Sequence, residues 1–117
     1  MRRYRDLLAG VDGVALPYTD ADVGSSSCYV MPVVLEEPGL QGPLRELMRD
    51  RWGIQTSLLY PSISEFTAYR AESAGVPRSE MLARTEVTIP LYPHLTETDQ
   101  DRVVSALREG LVELRGG

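Results

Sequence analysis

One acidic side chain, Glu65, stands in a stretch otherwise built of hydroxyls and aromatic rings: Tyr60, Ser62, Ser64, Phe66 and Tyr69. A carboxylate beside phenols can orient a polar substrate or hold a proton where a reacting group needs it. The rings would supply apolar walls, and the serine hydroxyls fixed polar points. Glu65 and Tyr60 are therefore the candidate catalytic groups. Ser62, Ser64, Phe66 and Tyr69 are the candidate substrate contacts. Ordinary core and loop packing would use the same residue types and weighs about equally. Against it, residues 61–74 are too polar and too rich in small side chains to be mainly core.

The other reactive residue types are scarce. All 12 cationic side chains are Arg, so no lysine amine exists to form a Schiff base. Cys28 and His94 are the only cysteine and histidine, too few for a metal site or an internal disulfide. Cys28 falls in an apolar run and reads as a small buried hydrophobe, with no base marked beside it. His94, close before a helix N-terminus, reads as structural rather than catalytic. No metal and no bound cofactor are expected.

At 117 residues the chain fits one domain, residues 1–117. A net charge of −5 opposes non-specific binding to nucleic acid or anionic membrane surfaces. No apolar run reaches the ~18 residues needed to span a bilayer. The basic start, Met1-Arg2-Arg3-Tyr4-Arg5, is followed by no signal-like apolar core. With a lone cysteine, a reduced cytoplasmic setting is expected.

The elements that must position the candidate residues follow from periodicity and punctuation. Residues 2–9 read as a short helix with Tyr4, Leu7 and Leu8 on one face. Val14 to Tyr18 and Cys28 to Leu35 read as strands, the second nearly continuous in apolar residues and so central. Asp20 to Ser27 reads as a polar loop with a solvated acidic rim. Pro43 in a first turn and Gly53 past the end bracket a helix carrying Leu44, Leu47, Met48 and Trp52. Its Arg45, Glu46, Arg49, Asp50 and Arg51 suggest surface ion pairs of little individual worth. Ile54 to Tyr60 reads as a strand ended by Pro61. Residues 62–75 read as an irregular or briefly helical excursion. Pro77 to Arg84 reads as a short helix, and Val87 to Leu91 as an edge strand stopped by Pro90 and Pro93. Thr96 with Asp99 resembles a capping box opening a last helix with Val103, Val104, Leu107, Leu111 and Leu114 in one stripe. Gly110 inside it weakens it by about 1 kcal/mol relative to Ala. The expected class is α+β: a small antiparallel or mixed sheet of about four strands, with helices mainly on one face.

The order of these signals carries a resemblance. Trp52-Gly53-Ile54, then Tyr60-Pro61, then Thr88-Ile89-Pro90-Leu91-Tyr92-Pro93-His94-Leu95-Thr96 and a long amphipathic helix resemble the C-terminal domain of the DegT/StrS family. The run from Pro90 to Thr96 is the most specific part. The resemblance covers nearly the whole chain and is weakest at Tyr4-Arg5-Asp6-Leu7-Leu8. That family comprises pyridoxal-phosphate-dependent aminotransferases of sugar and antibiotic biosynthesis, with the cofactor on a lysine of a preceding large domain. The departures fall where the family's site would sit. Its common His-Tyr-Pro-Pro-Leu-His becomes Leu59-Tyr60-Pro61-Ser62-Ile63-Ser64, so both histidine positions are lost, to Leu59 and Ser64. Cys28-Tyr29-Val30 stands where a histidine-bearing strand is frequent.

Ancestry in this family with its site residues replaced suggests recruitment to another task. The first expectation is a cofactor-independent natural-product biosynthesis protein that binds a small peptide or sugar-like substrate. It would preorganise ring closure or conjugate addition, with Glu65, Tyr60 and Tyr69 orienting. Positioning alone can remove about 7–11 kcal/mol from a barrier. The alternative is a non-catalytic subunit that completes or regulates a separate aminotransferase of the family. A domain parted from its large neighbour would expose an apolar face, so a homodimer is expected, hidden through the first helix or the aromatic excursion.

Overall fold

A computed structural model describes residues 1–71 and 75–116. In chain order these form α1 (Arg2–Leu8), β1 (Val14–Ala15), α2 (Asp20–Ser25), β2 (Met31–Leu35), α3 (Gln41–Trp52), a 3-10 turn (Ile63–Glu65), α4 (Pro77–Thr85), β3 (Glu86–Ile89) and α5 (Glu97–Gly116). The class is α+β, with one antiparallel sheet in the order β1-β2-β3. β2 is central, as its apolar run suggests. Of the expected excursion over 62–75, residues 72–74 lie outside the described residues.

Three strands form where about four were expected. The segment from Ile54 to Tyr60 touches the sheet only at a bridge between Ser57 and Thr88, whose main chains exchange bonds of 3.0 and 2.8 Å. An antiparallel ladder through that bridge would next pair Gln55 with Pro90 and Leu59 with Glu86. Pro90 has no N–H to give. The Glu86 carbonyl is already taken by Gln41 Nε2 at 2.6 Å, and the Leu59 N–H goes to the Glu86 carboxylate at 3.0 Å. Pairing therefore stops on both sides of the bridge.

Two other expectations are corrected. Residues 20–25 are helical, because Thr19 and Asp22 form a capping box: the Thr19 hydroxyl accepts the Asp22 N–H and the Asp22 carboxylate accepts the Thr19 N–H. Cys28 is not in a strand. Its φ of 52° puts it in the left-handed region, within the irregular segment that leads into β2.

Register explains how the sheet divides its faces. Met31 pairs with Ile89 and Val33 with Val87, so these four share one face, and all are buried in the core. Tyr4, Leu8, Leu44, Met48, Val104, Leu107 and Leu111 from the helices complete that core. Pro32 and Val34 pair with Thr88 and Glu86 and share the opposite face. That second face carries two buried polar residues, Glu86 and Thr88.

The long helices meet at Gly110. A Cβ there would lie 2.8 Å from Leu44 Cδ1, so α5 uses glycine to approach α3 closely. α3 ends at Gly53, which takes the left-handed conformation while its N–H and that of Ile54 close on Arg49 and Met48. α5 opens with the Asp99 N–H donating to Thr96 Oγ1 at 3.1 Å, as its capping signal suggests. No described helix is long and apolar enough to cross a membrane.

Candidate functional site

The bridge at Ser57 fixes the height at which the next segment leaves the sheet. Glu86 then holds Leu59, and Pro61 turns the chain outward. Between this departing segment, α4 and the head of β3 lies a cavity of about 580 Å³. Its walls are mostly apolar, with Ile63, Phe66, Val76 and Leu82 among them.

Four of the six candidate residues line it: Tyr60, Ser62, Ser64 and Phe66. Tyr60 is 83% exposed and stands on the rim. Ser62 is only 8% exposed, and its Oγ lies 2.8 Å from Ser64 Oγ. Ser64 donates its one hydroxyl proton to Glu80 Oε1 at 2.7 Å. Ser62 must then be the donor to Ser64, which leaves the lone pairs of Ser62 to accept from a ligand. A chain of hydroxyls thus runs from the cavity to a carboxylate on α4. The 3-10 turn builds it by bringing Ser62 and Ser64 onto one side.

Glu65 and Tyr69 are not in the lining. Glu65 Oε1 accepts Arg84 Nη2 at 2.7 Å, which ties the 3-10 turn to α4. Arg70 Nη2 also reaches the Glu65 carbonyl at 3.1 Å. Tyr69 is exposed beyond it. The two candidate catalytic groups therefore do not converge, and the geometry gives Glu65 a tethering place instead. His94 is exposed in the turn before α5.

Glu86 is the cavity residue that residue typing alone passed over. It is 4% exposed, accepts the Leu59 N–H with one oxygen and the Thr88 hydroxyl with the other. The signal was present: in Glu86-Val87-Thr88-Ile89 a charge and a hydroxyl alternate with apolar residues. Period-2 reading places both on one strand face.

The donor set does not fit covalent pyridoxal phosphate. The sequence has no lysine, and the cavity lining has no cation to meet a phosphate. No group of three or more His, Cys, Asp or Glu able to hold a metal occurs among the described residues. The arrangement can accept hydrogen bonds, cover an apolar surface and exclude water.

Comparison with known proteins gives a consistent relationship. Residues 1–108 match the model of the DegT/DnrJ/EryC1/StrS aminotransferase family. The dTDP-3-amino-3,4,6-trideoxy-alpha-D-glucose transaminase of Micromonospora megalomicea subsp. nigra is 30% identical over 124 residues, covering 92% of this chain and 33% of that protein. The enzyme of the same name from Streptomyces venezuelae is 33% identical over 110 residues, covering 91% of this chain and 28% of that protein. Among solved structures, the aminotransferase TlmJ from Streptoalloteichus hindustanus superposes with a TM-score of 0.85 at 27% identity, over 97% of this chain and 30% of TlmJ. DesV from S. venezuelae, in complex with a ketimine intermediate, gives a TM-score of 0.75 at 32% identity over 92% of this chain and 29% of DesV. The chain thus spans about a third of the length of the relatives it matches.

Proposed function

Because this chain belongs to the DegT/DnrJ/EryC1/StrS aminotransferase family, we propose that it serves as the small-domain part of a sugar aminotransferase assembly. The lysine-bearing cofactor domain would come from residues outside this sequence, in the same polypeptide or in a separate subunit. The observation that carries this reading is the open apolar rim of the cavity. Tyr60, Ile63, Phe66, Val76 and Leu82 are exposed together around it, an arrangement suited to being covered by another domain. In that assembly Ser62 accepts from a hydroxyl of a sugar-like substrate, and Tyr60 closes over it from the rim.

The test is coexpression with a TlmJ-type large domain stripped of its own small domain. Copurification of the two parts is expected, with transaminase activity on the relatives' named sugar restored only when both are present. Absence of both association and activity would overturn the proposal.

The hydroxyl chain Ser62–Ser64–Glu80 favours a second reading. A fixed polar relay in an apolar cavity also suits a cofactor-independent protein that preorganises a small peptide or sugar-like substrate for ring closure or conjugate addition. Accumulation of an uncyclised precursor in a deletion strain, cleared by the purified chain without a large domain, would select this reading over the first.

In either setting two copies of the chain pair through the apolar rim when no other domain covers it.

A further inference from the structure

The cavity beside α4 holds a carboxylate that no nearby cation balances. Glu86 lines it, is buried, and has no cation within 4.0 Å among the described residues. Its two oxygens accept the Leu59 N–H and the Thr88 hydroxyl, and each keeps a lone pair. Covering the apolar rim would remove the water that still reaches this carboxylate. A buried charge left unpaired is costly, so whatever covers the rim must bring a cation.

Three arginines stand on this side of the chain. Arg84 is spent on the Glu65 carboxylate and Arg70 on the Glu65 carbonyl. Arg78 is exposed and makes no hydrogen bond or ion pair among the described residues. It sits in the first turn of α4, directly after Pro77, where the helix dipole disfavours a positive charge. An unpaired cation thus stands at one end of α4. The unbalanced carboxylate stands just past the other end, since Glu86 follows Thr85.

Leu82 lies midway, four residues from each, and is exposed together with Met81. It lines both the cavity and a recess of about 350 Å³ that Arg78 and Met81 also line. A helix arranged in this way is complementary to its own antiparallel copy, because a two-fold axis at its centre exchanges the two ends.

We propose that two copies of the chain pack α4 against α4 about a two-fold axis at Leu82, and that Arg78 of each enters the mouth of the partner's cavity and pairs with the partner's Glu86. This rests on the reading of the apolar rim as a surface that a second copy covers. Leu82 and Met81 form the apolar centre of the contact. Arg78 leaves the unfavourable start of its own helix and comes to the C-terminal end of the partner's α4, where a cation is favoured. A guanidinium suits this place: it is more weakly hydrated than an ammonium, and its flat face can lie on the rings of Tyr60 or Phe66 at the rim. Each cavity is then completed by the other chain.

Sedimentation of the full chain over a range of concentrations measures the pairing. Arg78→Gln alters an exposed side chain, and Glu86→Gln keeps an acceptor for Leu59. Each should weaken self-association about tenfold or more, the scale of a charge-assisted contact. The double variant should lose less than the two losses combined, because it leaves no unpaired charge. An isotopically labelled Arg78→Gln chain mixed with unlabelled Glu86→Gln should form heterodimers that outnumber the two homodimers together in native mass spectra, since an Arg78–Glu86 pair survives only in the mixed species. A monomeric unaltered chain would overturn both this proposal and the rim reading beneath it. A dimer broken by Ile63→Asp but indifferent to Arg78→Gln, or random pairing in the mixture, would overturn the arginine exchange alone. If Glu86→Gln weakened only association with the large domain and left the self-pair unchanged, the cavity would belong to a basic side chain of that domain, and the exchange between copies would again fail.

Discussion

The Glu86 carboxylate accepts the Leu59 N–H at 3.0 Å, a bond that a strand would have made with the Glu86 carbonyl. Gln41 occupies that carbonyl and the Ala83 carbonyl as well, at 2.6 and 2.9 Å, joining the start of α3 to the end of α4. A side chain thus stands in for a ladder bond, and the released segment becomes a cavity wall. Glu86→Ala should leave a half-buried N–H without a partner and cost about 1–3 kcal/mol. Glu86→Gln keeps an acceptor oxygen and should cost less. Urea unfolding midpoints decide it, and equal losses in the two variants would contradict the acceptor role.

Gly110 reverses a simple propensity argument. In an exposed helix Gly→Ala gains about 1 kcal/mol. Here the new Cβ would lie 2.8 Å from Leu44 Cδ1, inside a core where Leu44 is fully buried. Gly110→Ala should therefore destabilise the protein by about 1–3 kcal/mol through overpacking. Leu44→Ala in the same chain should remove the clash, so a double-mutant cycle should show coupling. Simple additivity of the two changes would count against close α3–α5 approach.

Helices with full periodicity were legible because packing and propensity agree there: α3 between Pro43 and Gly53, and the α5 stripe, lie close to where their residues place them. The misses have local causes. α2 depends on Asp22 serving where Glu or Gln is the commoner capping partner. The fourth strand depended on which acceptor Leu59 would choose, and that choice needs Gln41, far along the chain, to have claimed the competing carbonyl. The site was half legible for the same reason. Local sequence placed Tyr60, Ser62, Ser64 and Phe66 together, but Glu65 was drawn away by Arg84 on an element whose position no local pattern reports.

Tyr4 gives an alkaline signature. Burial first, then the nearby Tyr92 and Asp99, raise its phenol above the ordinary 10.0. The folded state therefore keeps this proton at a pH where the unfolded chain releases it. The stabilisation is complete below the unfolded value and is lost progressively as pH rises above it. Unfolding midpoints measured from pH 8 upward should fall above about pH 10, and Tyr4→Phe should flatten that fall. Because Tyr4 Oη donates to the Pro90 carbonyl at 2.7 Å, the variant should also lose about 1 kcal/mol at neutral pH. An unchanged alkaline slope would show that other groups set it.

The apolar rim predicts self-association. Light scattering of the chain alone at micromolar concentration should give a particle of twice 13.0 kDa. Ile63→Asp, at an exposed position, should return it to the monomer while preserving the fold. Adding the large domain should dissociate the dimer by competing for the same rim. A monomer in the unaltered chain would overturn the self-association, and a dimer unaffected by Ile63→Asp would move the interface elsewhere.

The cavity itself is tested by a graded series in the reconstituted two-part assembly. Tyr60→Phe removes only a rim hydroxyl, and Ser62→Ala removes the acceptor that the hydroxyl chain turns toward the ligand. Each should keep the fold and lower kcat/KM by about tenfold, the scale of one lost hydrogen bond. The Ser62 effect should fall mainly on KM if its bond is made equally to substrate and transition state. Glu65→Gln should act only by loosening the turn from Arg84, so its effect should be smaller and matched by Arg84→Gln. The pair together should lose no more than either alone, since both remove one tie. His94→Gln, outside the cavity lining, should change little. If Glu65→Gln exceeded Ser62→Ala while Arg84→Gln did nothing, the carboxylate would have a role beyond its tether, and the assignment of Ser62 as the polar point of the site would fail.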